Sequence, residues 1–379
     1  MRNSVKICTI ICILLCFVLP VRAEEFTYGK SDLPTEEVQA GWDRLVESLP
    51  ENTRNELAGL DLTDTETVGA MMDLKYWIRQ ILTGISDWAS EILPGILPLF
   101  SMMLFMAAVE LSIQNAATPN LQKSFLTCAS LASAVMIFDM TSRIMENTAE
   151  HLTRLCSVMN LLTPVMEVLY LAGGNLTEKA VTTEAVMLGV TLIGNFTGQF
   201  LAPLTNLLFT LSCLGGVCAD VKITGFTNGL RKFIMRLWQY GTLIFSFLLS
   251  VQSILAKSAD SLAAKTARFA IGSFIPVAGG VIAEAFSTLK EGVGVLRSAA
   301  GIGGIAVILL LLIPGIVPLI LYKISLGIAE NTADALSLGR MKSMLSDVHG
   351  IVDMLFAFVL YTSLMFVLAM MIFTKSQAG

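Results

Sequence analysis

Five acidic residues lie within or beside long apolar stretches of the sequence, where a charged group could carry chemistry: Glu110, Asp139, Glu167, Glu184 and Asp353. An ionised carboxylate at the centre of a membrane helix costs about 2.5–3.5 kcal/mol on insertion scales, so such side chains tend to face a bundle interior or an aqueous cavity. A proton relay or a polar pore lining would use them. Asp139, Glu184 and Asp353 lie near segment ends, where a carboxylate can also reach the headgroup region. We predict these five as candidate pore or coupling residues.

Other catalytic and ligand-binding patterns are not found in the sequence. It contains no phosphate-binding loop and no nucleophile elbow, and its two histidines are His151 and His349. Cys213 and Cys218 are five residues apart with no histidine nearby, which is typical of buried thiols rather than of a metal site. The sequence has no basic patch of the kind that binds nucleic acid. We therefore expect no enzymatic activity, no cofactor and no nucleic-acid partner.

Composition predicts the class of protein that must position these residues. Hydrophobic residues make up 54% of the chain and charged residues 15%, and the mean hydropathy is +0.71. Apolar runs of about 20 residues, the length of a membrane-spanning helix, recur along the chain. We predict an all-α, polytopic membrane helical bundle over residues 92–379, with about seven or eight spans.

The N-terminal region has the pattern of an exported protein. Arg2 and Lys6 precede the apolar run Ile7–Leu19, and a small residue, Ala23, precedes Glu24. This pattern predicts a cleaved secretory signal peptide over residues 1–23, with an uncleaved anchor as the alternative. Residue 24 onward is then extracytoplasmic.

Residues 24–91 form an acidic segment that is predicted to be helical. They contain 15 acidic and five basic residues, and Pro34 and Pro50 are each followed by acids, as at helix starts. About 44 residues are too few to bury a core of their own, so the first part of this segment should dock on the membrane domain or on a partner. Residues 68–91 have an apolar stripe at helical spacing, which predicts an amphipathic helix in the outer interface or packed on protein.

Spans in the first half are predicted from hydropathy and from Gly and Pro positions. We expect the first three at Ile92–Ile113, Phe125–Met140 and Leu155–Ala172, with a polar connection over 141–153. Residues 180–219 would extend about 60 Å as one helix, twice the bilayer thickness, so they are predicted to be two segments. Asn195, Gly198 and Pro203 are predicted to mark the reversal.

A cationic cluster follows these spans and predicts their sidedness: Lys222, Arg231, Lys232 and Arg236. By the positive-inside rule this loop is cytoplasmic. Five crossings from outside at residue 92 also end inside near residue 220. We predict a cytoplasmic partner-binding loop here.

The stretch Ser250–Gly304 is a polar interruption between apolar segments. Its apolar core, Phe269–Ala283, has 15 residues and would span only about 22 Å as a helix. Pro276 and the pair Gly279-Gly280 interrupt this core. We predict a broken, re-entrant segment at 269–283, with a tilted span extended to Phe286 as the alternative.

Three blocks of the same stretch resemble a known protein family: SVQ, AKTARF and GSFIPVAGG. The residues concerned are Gln252, Asp260, Lys265, Arg268, Phe274, Pro276, Gly279 and Gly280. With the order of signal peptide, acidic helical segment and polytopic domain, the chain resembles the stage III sporulation protein AE family of endospore-forming bacteria.

This resemblance implies a function. It implies an integral membrane subunit of a channel or secretion-like complex that joins mother cell and forespore, in the mother-cell membrane around the forespore. It also implies a requirement for late forespore sigma-factor activation. The implied partners are other membrane proteins of the complex and a cytoplasmic ATPase encoded alongside. The alternative is a self-contained secondary transporter that uses broken helices and membrane-embedded carboxylates.

Overall fold

The described part of the chain folds into long helices. The computed structural model describes residues 35–49, 54, 79, 82, 96–112, 119–172, 176–217, 225–247 and 279–374. Within these ranges the elements are α1 (Thr35–Ser48), α2 (Ile96–Ser112), α3 (Pro119–Ala172), α4 (Leu176–Asn195), a π-helical segment (Phe196–Leu201), α5 (Ala202–Val217), α6 (225–247), α7 (Gly279–Ala335) and α8 (Gly339–Thr374).

Within the described ranges, four stretches are long and apolar enough to cross a membrane: Thr127–Leu171, Thr183–Gly215, Ala300–Ala335 and Gly339–Phe373. Every ordered element in the described ranges is helical. The prediction of an all-α, multi-pass membrane bundle is confirmed at this level.

Helix α3 is one continuous helix of 54 residues, about 81 Å long at 1.5 Å per residue. The prediction of two separate spans at 125–140 and 155–172 is therefore wrong, because the polar residues 141–153 are helical. Residues 120–163 contain neither glycine nor proline, so nothing in this stretch ends the helix. The buried hydroxyl groups of Thr141 and Thr148 donate to the carbonyl oxygens of Ile137 and Ile144, both at 2.7 Å.

The chain from α4 to α5 runs straight along α3 in the antiparallel direction. Cys156 Sγ lies 3.8 Å from the carbonyl oxygen of Val190, and the ring centroids of Phe138 and Phe209 are 5.1 Å apart. The two contacts are 18 residues apart on α3 (156 and 138) and 19 residues apart on α4–α5 (190 and 209), in the opposite chain direction. This constant register is that of two straight helices, which form the first hairpin.

The reversal predicted at Asn195, Gly198 and Pro203 is therefore wrong. The segment Phe196–Leu201 is π-helical, and Asn195 and Ala202 beside it keep right-handed helical backbone. A π turn is a local widening that lets a helix continue where its hydrogen-bond ladder is disturbed, as it is next to a proline. Apolar length alone suggested two segments, whereas the structure places that length in one helix.

Cross-linking tests the straight hairpin. In a background without other cysteines, we expect a short bifunctional thiol reagent to join Phe138→Cys to Phe209→Cys, and native Cys156 to Val190→Cys. Both pairs should react because α4 and α5 continue in one direction along α3. Reaction of the 156/190 pair alone would restore the predicted reversal. The pair Phe138→Cys and Val190→Cys, which the register separates by about 18 residues or 27 Å, is the negative control.

The second hairpin joins α7 to α8 through a three-residue turn. Ser337 has a positive φ of 58°, the left-handed conformation that commonly ends a helix. The N–H of Leu338 donates to the carbonyl oxygen of Ala333 at 2.8 Å, and Asp334 pairs with Lys342 at 2.8 Å across the turn. These contacts direct α8 back along α7.

The two hairpins pack on one another through α3 and α7. Gly304 of α7 faces Leu162 of α3, and Gly315 faces His151, so α3 and α7 are antiparallel. Of the four candidate spans, that of α8 has the most buried apolar window, at 72%. A helix that is apolar on all sides belongs in the centre of a bundle. Helix α8 therefore forms the core on which the other helices assemble.

Helices α4 and α6 provide much of the apolar outer surface. Helix α6 packs on α8, with the rings of Trp238 and Phe358 5.0 Å apart. Its other side exposes apolar side chains, as does α4: Phe226, Phe233, Leu237, Leu243, Ile244 and Phe247 on α6, and Met187, Leu188 and Leu192 on α4. These surfaces suit contact with lipid.

Helix α1 is the described part of the acidic segment. It begins at Thr35, directly after Pro34, which confirms the predicted helix start. Trp42 is buried, and Gly41 lies against Val165 of α3, so α1 docks on the bundle, as one of the two predicted alternatives requires. The predicted signal peptide lies outside the described residues, as does most of the predicted amphipathic helix 68–91.

The re-entrant prediction at 269–283 also falls largely outside the described residues. Gly279 and Gly280 are the first residues of α7, which continues without a break to Ala335. Residues 269–278 are not among those described. Whether this segment re-enters or spans stays a prediction.

Candidate functional site

A group of charged and polar side chains joins α5, α6, α7 and α8. We call it the ionic network, and its members are Ser212, Arg231, Lys323, Asp347 and Asp353. Two bases and two acids give the set no net charge when all are ionised. Charges in an apolar bundle are expected to be paired in this way.

Asp347 is the most buried charged member of the network, with 4% of its surface exposed. Its Oδ2 accepts a hydrogen bond from Ser212 Oγ at 3.2 Å, which ties α8 to α5. Its backbone carbonyl oxygen accepts a bond from Arg231 Nη1 at 3.4 Å, which ties α8 to α6. One residue of α8 therefore contacts two neighbouring helices through polar bonds.

Gly350 makes the approach of Arg231 possible. It lies one turn along α8 from Asp347, and a Cβ atom at this position would overlap the Arg231 guanidinium group. A side chain here would push the guanidinium away from the helix backbone. The position thus requires glycine for close approach rather than for backbone conformation.

Asp353 provides the second acidic position. Its Oδ1 pairs with Lys323 Nζ of α7 at 2.6 Å, and the two side chains are 40% and 21% exposed. The lysine ammonium group also lies 6.0 Å from the ring centroid of Phe356, within cation–π range. Arg231 interacts electrostatically with both Asp353 and Asp347, so the two halves of the network share one cation.

Further pairs continue from the network toward the α7–α8 turn. His349 Nδ1 lies 3.5 Å from Glu330 Oε2, and the Asp334–Lys342 pair follows. Charged pairs therefore recur between α7 and α8 from residue 323 to the turn, beside buried apolar residues such as Leu326, Ala329 and Val348. This arrangement places paired charged side chains between helices. Loss of charge on one side chain of a pair would therefore alter how the two helices pack.

The five predicted carboxylates do not meet in one site. Asp353 lies in the network, whereas Asp139 is exposed on α3 and pairs with Arg143 at 3.1 Å. Asp139 and Glu167 are 28 residues apart on one continuous helix, about 42 Å, so they cannot act at one centre. Glu184 is exposed on α4, and Glu110 is half-buried on α2, as is Glu167 on α3.

The other predicted site residues have different positions. Lys222 lies outside the described residues, as do six residues of the family segment: Gln252, Asp260, Lys265, Arg268, Phe274 and Pro276. Of the predicted partner-binding loop, Lys232 and Arg236 are exposed on α6, whereas Arg231 is turned into the network.

Sequence reasoning missed Ser212, Lys323 and Asp347. Asp347, Gly350 and Asp353 are spaced by three residues and so lie on one helical face, which is a usable signal. Lys323 follows a long apolar run, and nothing near it in the sequence indicates its partner. Among the described residues, no cluster of three His, Cys, Asp or Glu side chains could hold a metal ion.

Comparison with known proteins places the chain in a family. The family model described as stage III sporulation protein AE matches residues 65–377. The chain belongs to the stage III sporulation protein AE family. The resemblance noted in the sequence is confirmed, and the matched region includes helices α2 to α8 with the whole ionic network.

A curated relative agrees with this assignment. The stage III sporulation protein AE of Bacillus subtilis (strain 168) is 26% identical over 225 residues, which cover 58% of this chain and 55% of the relative. The matched region thus spans about half the length of that relative. No solved structure matches this family member.

Proposed function

We propose that this protein is an integral membrane subunit of a channel or secretion-like complex that links mother cell and forespore during sporulation. In this proposal it is needed for activation of the late forespore sigma factor and resides in the mother-cell membrane around the forespore. The family match over residues 65–377 carries the proposal.

The distribution of carboxylates favours a subunit over a self-contained transporter. A secondary transporter builds its site where broken helices meet near the bilayer midplane. Asp139 and Glu167 are about 42 Å apart on the unbroken helix α3. Asp353, which does contact other charges, is neutralised by Lys323.

The cationic residues beside them support a cytoplasmic position for residues 218–224. Of the described helices that precede them, α3 and α4–α5 are long and apolar enough to cross a membrane, and α2 is a shorter apolar helix. In this proposal α2 is the first crossing from outside, so the chain reaches the cytoplasm after α5. Exposed Lys232 and Arg236 would then offer positive charge to cytoplasmic partners, among them the proposed ATPase.

The position of α1 supports the proposed outer location of residues 24–91. It docks at Val165, near the end of α3 away from residues 218–224. In this topology a cleaved signal peptide (residues 1–23) delivers the acidic segment to the space outside the mother cell's cytoplasm.

Gene deletion in the native spore-forming host tests the proposal. A reporter transcribed by the late forespore sigma factor should stay silent in the deletion strain and recover when the intact gene is returned. An unchanged reporter in the deletion strain would sink the proposed function.

The same assay separates the subunit from the transporter. We expect the double variant Glu110→Gln, Glu167→Gln to restore reporter activity, because neither carboxylate belongs to the ionic network. A self-contained transporter coupled through buried carboxylates would lose activity. Membrane protein level, measured by immunoblot, is the control for folding.

A further inference from the structure

A line of polar side chains follows the exposed side of α3. We call it the polar stripe, and its members are Asp139, Arg143, Glu146, Asn147, Glu150, Thr153, Arg154, Ser157 and Asn160, all exposed. Apart from two adjacent pairs, they recur every three or four residues, which places them on one face of the helix. From residue 139 to residue 160 the stripe is about 32 Å long, close to the hydrocarbon thickness of a bilayer.

The stripe lies at the same depth as apolar surface that faces outward. Cys156 of α3 contacts Val190 of α4, so the C-terminal half of the stripe lies at the same level along the bundle as Leu188 and Leu192. Those two leucines are 56% and 60% exposed, as expected for side chains in contact with lipid. At one level, therefore, α4 exposes leucine while α3 exposes charged and amide groups.

Charged groups in that position require a polar environment. The pairs Asp139–Arg143 and Glu150–Arg154 reduce the charge that each side chain presents, but all four side chains are about half exposed or more. Contact of these groups with hydrocarbon would be costly, and intramembrane charges generally face a bundle interior or water. The stripe therefore faces either protein or water.

A cavity next to the stripe favours water. It has a volume of about 150 Å³, lies between α3 and α7, and is lined in part by Asn147, His151, Arg154 and Pro314. His151 is 8% exposed, and its Nε2 has no hydrogen-bond partner within the described part of the chain. A polar cavity of this size holds several water molecules, and a water molecule would supply the missing partner. Asn147 and Arg154 belong to both the stripe and the cavity, so the two are continuous.

We propose that the polar stripe of α3 forms part of the wall of a water-filled passage through the membrane, with the His151 cavity as a hydrated recess in that wall. The proposal rests on the proposed function, because neighbouring subunits of the complex must enclose the passage. It adds the surface that lines the passage and the residues that do so.

Thiol accessibility in the assembled complex tests the proposal. The native cysteines are replaced by serine, and single cysteines are introduced at three positions of the stripe: Asn147, Thr153 and Ser157. Leu188 and Leu192 are the lipid-facing controls, and Met159, which is fully buried on the same helix, is the packing control. A charged, membrane-impermeant methanethiosulfonate is applied to permeabilised sporulating cells, so that it reaches both sides of the membrane.

We expect the stripe cysteines to react roughly tenfold faster than the control cysteines or more, because such reagents attack the thiolate, which forms in water. Stripe reactivity equal to that at Leu188 would overturn the proposal. Reactivity that appears only when the partner membrane proteins are deleted would also overturn it, since the stripe would then be a dry protein interface. Labelling is read independently of the sigma-factor reporter, so failure of the proposed function is seen separately.

Discussion

Replacing Asp347 with alanine is expected to destabilise the bundle by about 1–3 kcal/mol. The buried hydroxyl of Ser212 would lose its acceptor, and a buried polar group left without a partner costs about 1–3 kcal/mol. Arg231 would keep its bond to the backbone carbonyl oxygen of residue 347 and its interaction with Asp353, so it would lose only the attraction of the Asp347 carboxylate.

Unfolding of the purified protein in detergent, followed by helical circular dichroism, measures this effect. Asp139→Ala is the matched control, because it removes an aspartate from an exposed pair whose side chains are 68% and 71% exposed. Exposed pairs contribute about 0–1 kcal/mol, so this variant should unfold close to wild type. Equal losses in the two variants would show that the network contributes nothing specific.

A double variant isolates the charge interaction. Arg231→Ala alone leaves Asp347 without the nearby cation, whereas Arg231→Ala with Asp347→Ala removes both charges. We expect the double variant to lose less stability than the sum of the two single variants. Strict additivity would mean that Arg231 and Asp347 do not act on one another.

The general architecture could be predicted because it follows from composition. Long apolar runs with few charges specify membrane helices whatever their neighbours are, and Pro34 specified the start of α1. The continuity of α3 was missed because residues 141–153 are polar on average. Hydropathy averaged over a window cannot tell a polar loop from a helix with one polar face. The absence of glycine and proline from residues 120–163 was the signal for the helix.

The ionic network could be predicted only in part. Asp353 was identified because a carboxylate near an apolar run is conspicuous in a sequence. Its partner Lys323 lies 30 residues away on another helix, and their contact depends on the register of the α7–α8 hairpin. Arg231 was assigned to a partner-binding loop because it belongs to a cationic cluster in the sequence. Its close approach to Gly350 depends on tertiary packing, which the sequence does not show. Pairing of charges between helices thus needs the fold, whereas single unusual charges do not.

Replacing Gly315 with alanine is expected to destabilise the bundle by about 1–3 kcal/mol, the range for overpacking of a core. The new Cβ would overlap the imidazole ring of His151, which is buried between α3 and α7. To make room, the ring would have to turn toward the adjoining cavity or α7 would have to move away from α3. At Gly304 the nearest atom is the terminal methyl group of Met370, so Gly304→Ala should cost less.

A matched glycine and a double variant make this second prediction specific. A Cβ at Gly194 on α4 would meet no atom within 4 Å, so Gly194→Ala should stabilise that helix by about 0.5–1 kcal/mol through helix propensity alone. His151→Ala should remove most of the cost of Gly315→Ala, because the overlapping ring is then absent. If Gly315→Ala costs the same with and without the imidazole ring, the contact between α3 and α7 is not the one that holds His151 over its cavity. Unfolding in one detergent measures all of these variants on one scale, and Gly315→Ala and Gly194→Ala are expected to change stability with opposite signs.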